Sequence, residues 1–242
     1  MILEVDIGNT FLKWRVIQGS RVLNRGRHLT ADLAAVMPAD WPDVVDEVRV
    51  ASVAGPAVAE SMMMYSQTRW QRTPLFAKTQ SEAAGVVNSY AEPSRMGVDR
   101  WLVMLAAFND CQSGCCVVDC GSAITVDYLS GNGVHQGGFI IPGLRLMSGS
   151  LLSDTAQVRV DRSVERFSLT PGCHTSEAVA HGINFAFKAL QEKILNQLAA
   201  SSESLALYIT GGDGALFHEL CGTGDYRPEL VMDGLQWAVS EQ

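Results

Sequence analysis

The sequence predicts an α/β protein of two tandem domains, with the same three-strand unit at the start of each domain. An apolar run ends in an acid at Asp6 and again at Asp119, and a glycine-containing turn and a second β-branched run follow each acid. The distance from the acid to the glycine of the next turn is 13 residues in the first copy (Gly19) and 12 in the second (Gly131). Matching order, spacing and turn chemistry indicate a duplicated meander, and the helices and strands that alternate after it are typical of an α/β fold.

In the first copy, strands are predicted over residues 2–7, 11–17 and 21–28, with a turn at 18–20. The segments that follow are a helix over 30–37, a strand over 46–53, a helix over 58–68, a short strand over 74–77 and a helix over 99–110.

In the second copy, a strand ends at Asp119, a second runs through Tyr128, a turn occupies 130–133 and a third strand covers 138–141. The later segments are a mobile loop with one short helix over 153–172, the longest helix over 176–198, a strand over 205–210, a helix over 214–221 and a short strand-and-helix segment over 230–240. We place the domain boundary near Gln112-Ser113-Gly114, which gives domains 1–113 and 114–242.

Composition and charge exclude several classes of protein. The 242 residues are 47% hydrophobic and 18% charged, which is typical of a globular protein. The formal net charge of -8, with no Lys/Arg cluster, disfavours nucleic-acid binding, so an anionic substrate would need local donors or a cation. The first six residues carry no basic region, and the longest apolar run, 101–108, is far shorter than the roughly 18 residues that suggest a membrane span. We therefore expect a cytoplasmic protein with no membrane partner.

Four of the six cysteines, Cys111, Cys115, Cys116 and Cys120, lie close together in the sequence. A structural metal site is one interpretation, but zinc ligands usually occur as two separated Cys pairs on loops. Adjacent cysteines at a strand start point to opposite faces, which favours buried thiols.

The two acid-glycine turns are candidate phosphate sites. Glycine allows a ligand to approach the backbone, and backbone amides together with Asn9, Thr10 or Ser122 supply donors to phosphate oxygens. Asp6 and Asp119 repel phosphate but suit Mg²⁺ or another cation that bridges to it. Asp-Gly and Gly-Asn are also ordinary hairpin residues. The P-loop sequence is absent. The second copy and a Thr-Gly-Gly sequence at the end of a late strand favour the phosphate interpretation.

These turns resemble the phosphate motifs of the acetate and sugar kinase/actin superfamily, whose members have two ribonuclease-H-like (actin-like ATPase) domains with an inter-domain cleft. Residues 6–13 resemble the first phosphate motif, 119–125 the second and 210–213 the adenosine motif. Two further segments resemble type III pantothenate kinase: residues 88–101, which include Gly-x-Asp-Arg at 97–100, and residues 137–147. Taken together with the three motifs above, the resemblance covers almost the whole chain. Ser122 stands where threonine is commoner, and Cys120 occupies a bulky apolar position.

The resemblance implies phosphorylation of pantothenate by ATP to 4′-phosphopantothenate, the first step of coenzyme A biosynthesis, in a homodimer. Its cofactors are Mg²⁺ and a monovalent cation (K⁺ or NH₄⁺) held by Asp119, and Asp99 is the catalytic base. The implied pantothenate-binding residues are Tyr90, Gly97, Val98, Asp99, Arg100 and Thr175. The implied ATP-binding residues are Asp6, Ile7, Gly8, Asn9, Thr10, Phe11, Leu12, Lys13, Ser122, Gly211 and Gly212.

Each of these residues also has a structural interpretation. Asp99 suits the N-cap of a helix starting at Arg100, and Arg100 suits a solvated helix surface. Tyr90 is equally a loop aromatic, and Lys13 a solvated strand-end lysine. Thr175 is an N-cap candidate, with Ser176 as its rival. We assign no role to His135, His174 and His181.

Two other functions stay open at this stage. One is a regulatory relative, an accessory transcription factor with the same fold and no kinase turnover. The other is a different small-molecule kinase of the superfamily. The Asp99-Arg100 pair favours pantothenate kinase over both.

Overall fold

A computed structural model describes residues 1–34, 38, 40–153, 164 and 167–239. Its chain divides into two compact units. The first comprises residues 1–112, 132–135 and 229–242, and the second comprises 113–131 and 136–228. Segments 132–135 and 229–242 thus group with the first unit, although the sequence prediction assigned them to the C-terminal domain. As folding domains, 1–113 and 114–242 stay a prediction.

The first unit is built on a five-stranded sheet in the order β3-β2-β1-β4-β5, in which β1 pairs antiparallel with β2 and parallel with β4. Its strands are β1 (Ile2–Ile7), β2 (Phe11–Gln18), β3 (Arg21–Leu29), β4 (Glu47–Ser52) and β5 (Leu75–Phe76), beside a small hairpin of β6 (Glu82–Ala83) and β7 (Val86–Val87). Its helices are α1 (Pro56–Trp70), α2 (Val98–Cys111) and α6 (Leu230–Ala238), with 3-10 turns at Thr30–Ala34 and Pro93–Arg95.

Helices cover both faces of this sheet. One face is apolar, and the other carries charged residues that are paired. Alternate residues such as Val5 and Trp14 point toward α1 and share a core with Met62. The opposite face carries Glu4 and Arg15, and α6 packs on it and against α2.

The second unit repeats the strand order as β10-β9-β8-β11-β12, with β8 antiparallel to β9 and parallel to β11. Its strands are β8 (Cys115–Cys120), β9 (Ala123–Leu129), β10 (His135–Pro142), β11 (Ala206–Thr210) and β12 (Asp225–Tyr226). Its helices are α3 (Leu144–Ser153), α4 (Thr175–Ala200) and α5 (Gly214–Cys221). Phe187 of α4 and Phe217 of α5 pack on Val118 and Ile209 of the sheet. The predicted duplicated meander is confirmed.

Several local predictions differ from the structure. The helix predicted over 30–37 is a 3-10 turn in its described part, and residues 35–37 lie outside the described residues. Segment 230–240 contains a helix and no strand among its described residues, so the predicted strand there is wrong. Helix α3 was not predicted at all. The predicted loop helix within 153–172 falls largely outside the described residues.

The four clustered cysteines are free thiols, and three of them belong to the core. Cys115, Cys116 and Cys120 are buried, and all six are free. Within the part of the chain that the structure describes, no group of three His, Cys, Asp or Glu side chains is arranged to hold a metal. The structural-metal interpretation therefore finds no support.

Candidate functional site

The first acid-glycine turn joins β1 to β2 and is braced by the end of β3. The amide of Gly8 donates to the carbonyl of Phe11 (3.0 Å), which closes the turn after the last strand pair. Thr30 fixes the turn from outside, since its hydroxyl donates to the carbonyl of Gly8 (2.7 Å) and its amide to that of Thr10 (3.0 Å). Sequence reasoning missed Thr30, because its position beside the turn depends on the β2–β3 pairing.

Asp6 and Lys13 lie directly opposite each other at the base of this turn. The pKa of Asp6 is raised to about 6, mainly by burial and also by the charge of Asp99, while the charge of Lys13 lowers it. Asp99 of α2 is therefore within electrostatic reach of Asp6. The structure brings together three residues that the sequence assigned to two different motifs, and a divalent cation would relieve the repulsion between the two carboxylates.

Helix α2 begins at Val98, with Gly97 as its N-cap, so Asp99 is not the N-cap of a helix starting at Arg100. A Cβ on Gly97 would lie 2.5 Å from Oδ1 of Asp99, so a side chain at position 97 would displace the carboxylate. Oδ1 accepts a hydrogen bond from the amide of Arg100 (2.8 Å). This contact holds the carboxylate at the helix N-terminus, where the helix dipole favours negative charge.

Arg100 is not a solvated helix residue, because it is only 4% exposed. Its Nη1 donates to the hydroxyl of Tyr90 (2.9 Å), and its guanidinium lies 5.7 Å from the centre of the Tyr90 ring. Tyr90 is thus more than a loop aromatic: it orients the arginine. A buried guanidinium held in this way suits bidentate contact with a carboxylate.

A buried histidine lies behind this pair. His135 is 1% exposed, and its Nδ1 is 2.8 Å from the hydroxyl of Ser89, the residue before Tyr90. The rings of His135 and Tyr90 are 6.3 Å apart at 31°. The sequence assigned His135 no role, since it lies 45 residues away from Tyr90 in the chain and only the fold places the two together.

The second acid-glycine turn, in the second unit, repeats the first with one residue fewer. The amide of Gly121 donates to the carbonyl of Ala123 (3.0 Å), and the amide of Gly143 donates to that of Ser122 (3.0 Å). Gly143 therefore braces this turn as Thr30 braces the first. The missing residue lies in the turn itself: four residues separate the last strand pair of the first hairpin, and three separate that of the second. This accounts for the spacing of 13 in one copy and 12 in the other.

The Thr-Gly-Gly sequence lies beside Asp119 in the same unit. Thr210 is opposite Asp119 in the parallel pairing of β11 with β8. Gly211 has φ +92°, and a Cβ there would lie 2.5 Å from Oδ1 of Asp119, so a side chain is excluded. The amide of Asp213 donates to the carbonyl of Cys120 (2.9 Å). The second phosphate motif and the adenosine motif thus form one surface, and its carboxylate and carbonyl oxygens are ligands that hard cations prefer.

Thr175 is the first residue of α4 and is exposed. The N-cap is His174, whose Nδ1 accepts from the amide of Glu177 (3.3 Å), so neither Thr175 nor Ser176 is the cap. The hydroxyl of Thr175 is not used as a cap, and its assignment to pantothenate stays a prediction.

A model of the type III pantothenate kinase family matches residues 2–197. The type III pantothenate kinase of Chromohalobacter salexigens is 41% identical over 244 residues, covering 98% of this chain and 86% of that protein. The type III pantothenate kinase of Marinobacter nauticus is 36% identical, covering 99% of this chain and 98% of its own.

Two solved structures show the same fold at low sequence identity. A Campylobacter jejuni protein assigned to the Baf family of transcriptional activators has a TM-score of 0.58 at 22% identity, covering 97% of this chain and 95% of its own. A Sinorhizobium meliloti protein assigned as a 2-dehydro-3-deoxygalactonokinase has a TM-score of 0.56 at 14% identity, covering 98% of this chain and 97% of its own.

The duplicated five-stranded units, each with an acid-glycine turn after its first strand, define a protein built from two ribonuclease-H-like units. The chain belongs to the type III pantothenate kinase family and is a kinase. These relatives favour the kinase over the regulatory alternative, because the likeness to the Baf-family structure is one of fold alone. No helix among the described residues is long and apolar enough to cross a membrane.

Proposed function

We propose that this protein transfers the γ-phosphoryl group of ATP to the primary hydroxyl of pantothenate, giving 4′-phosphopantothenate and ADP in the cytoplasm. The observation that carries the proposal is the grouping of Asp6, Asp99, Arg100 and Tyr90 in the first unit, in a chain of this family. The carboxylate that acts on the hydroxyl and the guanidinium that binds the pantothenate carboxylate are neighbours on the first turn of α2.

Asp99 orients the primary hydroxyl and accepts its proton as the oxygen–phosphorus bond forms and the bond to ADP breaks. Positioning and charge neutralisation supply most of the rate enhancement in phosphoryl transfer, and a positioned base contributes about 10²–10⁴-fold. The contact of Oδ1 with the amide of Arg100 fixes the carboxylate for this step.

Arg100 binds the pantothenate carboxylate, and Tyr90 keeps the guanidinium plane in place through its hydroxyl. Because Arg100 is already buried and oriented, little side-chain entropy is lost when the substrate binds. Gly97, Val98 and Thr175 complete the proposed substrate contacts.

In this proposal the two turns bind the phosphates of ATP. Residues 7–12, including Asn9 and Thr10, supply donors in the first unit, and Lys13 supplies a charge. Ser122, Gly211 and Gly212 do so in the second, and Asp119 holds a monovalent cation. Mg²⁺ near Asp6 would neutralise phosphate charge, and the raised pKa of that carboxyl fits a group that gains from a bound cation.

A homodimer is part of the proposal. The exposed large apolar side chains of the second unit concentrate on β10, α3 and α4, and they include Ile140 (64% exposed) and Phe185 (65%). A patch of this kind on an edge strand and its neighbouring helices is typical of a surface that another chain covers. Analytical ultracentrifugation should give a dimer for the wild type and a monomer for Phe185→Glu.

Two measurements test the activity. Purified protein should phosphorylate pantothenate with ATP, Mg²⁺ and K⁺, and absence of turnover under every cation condition would overturn the proposal. Asp99→Asn should lower kcat by about 10²–10⁴-fold with an unchanged melting temperature. An Asp99→Asn protein with wild-type kcat would show that Asp99 serves only the helix terminus.

A further inference from the structure

Arg27 of β3 continues a row of charged residues that Asp6 of β1 and Lys13 of β2 begin in the first unit. Lys13 lies opposite Asp6 on β1 and opposite Arg27 on β3. Directly opposite residues in an antiparallel pair project from the same face with Cβ atoms about 4.5–5.5 Å apart. A carboxylate and two cations therefore form a line across three strands, next to the first phosphate turn.

The Arg27 side chain is held without being neutralised. Its guanidinium lies 5.1 Å from the centre of the Phe11 ring, a cation–π contact that orients the group and leaves its N–H donors available. Within the described part of the chain, Arg27 makes no ion pair, whereas Arg15 and Arg25 on the same face are both paired with Glu229. In a chain with a net charge of -8, an oriented cation without an ion-pair partner beside a candidate phosphate turn indicates a site that binds an anion.

The strand that carries Arg27 also fixes the turn. Thr30, three residues further along the chain, holds the carbonyls of Gly8 and Thr10. The distance between Arg27 and the turn is thereby set by the backbone and does not depend on a mobile loop.

We propose that Arg27 is a nucleotide-phosphate contact, a second cation beside Lys13 for the phosphate chain of a nucleoside di- or triphosphate. This inference rests on the proposed function only in naming ATP as the nucleotide. The competing explanation is that Arg27 packs on Phe11 solely to cover an exposed ring. The two explanations differ in what Arg27→Gln changes: nucleotide affinity in the first, thermal stability alone in the second.

The test is calorimetric titration of the protein with MgADP and with a non-hydrolysable Mg-ATP analogue. Arg27→Gln should weaken binding by about tenfold or more, because the loss of one hydrogen bond to a charged group typically lowers an affinity by about this factor. Arg21→Gln is the matched control: it removes the same charge from the same strand, six residues and about 20 Å away. It should leave affinity within about twofold, and Arg27→Lys should recover part of the loss because it keeps the charge.

Wild-type affinity in Arg27→Gln with a lowered melting temperature would overturn the proposal in favour of ring packing. Equal weakening in Arg27→Gln and Arg21→Gln would overturn it in favour of a general charge effect. The outcome is separable from the proposed function, because titration needs no turnover. A wild type that binds nucleotide through Arg27 but leaves pantothenate unphosphorylated would overturn the function and support this site.

Discussion

Asp6→Asn tests the electrostatics of the site through the pH dependence of stability. Burial raises the pKa of Asp6 to about 6 from its ordinary value of 3.8. Between these two values the folded protein holds a proton that the unfolded chain has released, so this group makes the free energy of unfolding fall as pH rises. One pKa unit corresponds to about 1.4 kcal/mol, so the raised pKa of Asp6 lowers the free energy of unfolding above pH 6 by at most about 3 kcal/mol. Water reaches the partly buried carboxylate, so we expect about 1–3 kcal/mol.

Because asparagine does not ionise, Asp6→Asn should be more stable than the wild type above pH 6, and this gain should disappear near pH 4. Urea denaturation of both proteins across this range, without ligands, measures the difference and cancels the other titrating groups. Asp46→Asn is a control of opposite sign. The N-terminal ammonium lowers the pKa of exposed Asp46, so that variant should lose stability at neutral pH and converge with the wild type in acid. A difference between Asp6→Asn and wild type that is constant with pH would refute the raised pKa.

Two further predictions concern residues behind the site. Arg15→Met should destabilise the protein by about 3 kcal/mol in thermal unfolding, because it removes the nearer ion-pair partner of the buried Glu4 carboxylate and leaves only Arg49, at 3.6 Å. Replacing Glu4 by Gln in the same protein should recover part of the loss. His135→Leu should raise the KM for pantothenate roughly threefold to tenfold with kcat retained, since it removes the hydrogen bond that fixes Ser89 beside Tyr90. Ser89→Ala should have the same effect, and additive losses in the double variant would contradict a shared hydrogen bond.

Local pattern was sufficient for the duplicated meander. The central strands β1 and β8 are buried at almost every residue and therefore appear in the sequence as short apolar runs, and glycines mark the turns. The Gly-x-Asp-Arg sequence similarly located the first turn of α2. These features depend on residues close together in the chain, so periodicity and turn chemistry predict them.

The residues that brace the site could not be predicted in this way. Thr30, Gly143 and His135 each act on a turn or loop from another segment. Nothing near Thr30 or His135 marks them, and the resemblance of segment 137–147 does not show which turn Gly143 contacts. The ion pair of Arg15 with Asp233 joins residues 218 positions apart and attaches α6 to the first sheet. Such contacts depend on tertiary packing, which leaves no local pattern. The N-cap interpretations of Asp99 and Thr175 were wrong by two residues and one residue, since the N-caps are Gly97 and His174. Both helices begin slightly earlier than their apolar spacing suggests.

The two hairpins differ in the residue that faces the acid, and this difference bears on where the proposed monovalent cation acts. Asp6 faces Lys13 across its hairpin, and at the equivalent place Asp119 faces Thr125, a neutral residue. The ammonium of Lys13 already faces the carboxylate of Asp6 across its hairpin, whereas the residue that faces Asp119 supplies no charge, so we expect the monovalent cation at Asp119. Thr125→Lys should place an ammonium group where the proposed monovalent cation acts and make turnover insensitive to K⁺. Thr125→Gln, of similar length and neutral, should keep the wild-type dependence. Initial rates with K⁺ exchanged for tetramethylammonium at constant ionic strength measure both. If folded Thr125→Lys responds to K⁺ as the wild type does, the cation is not held at Asp119.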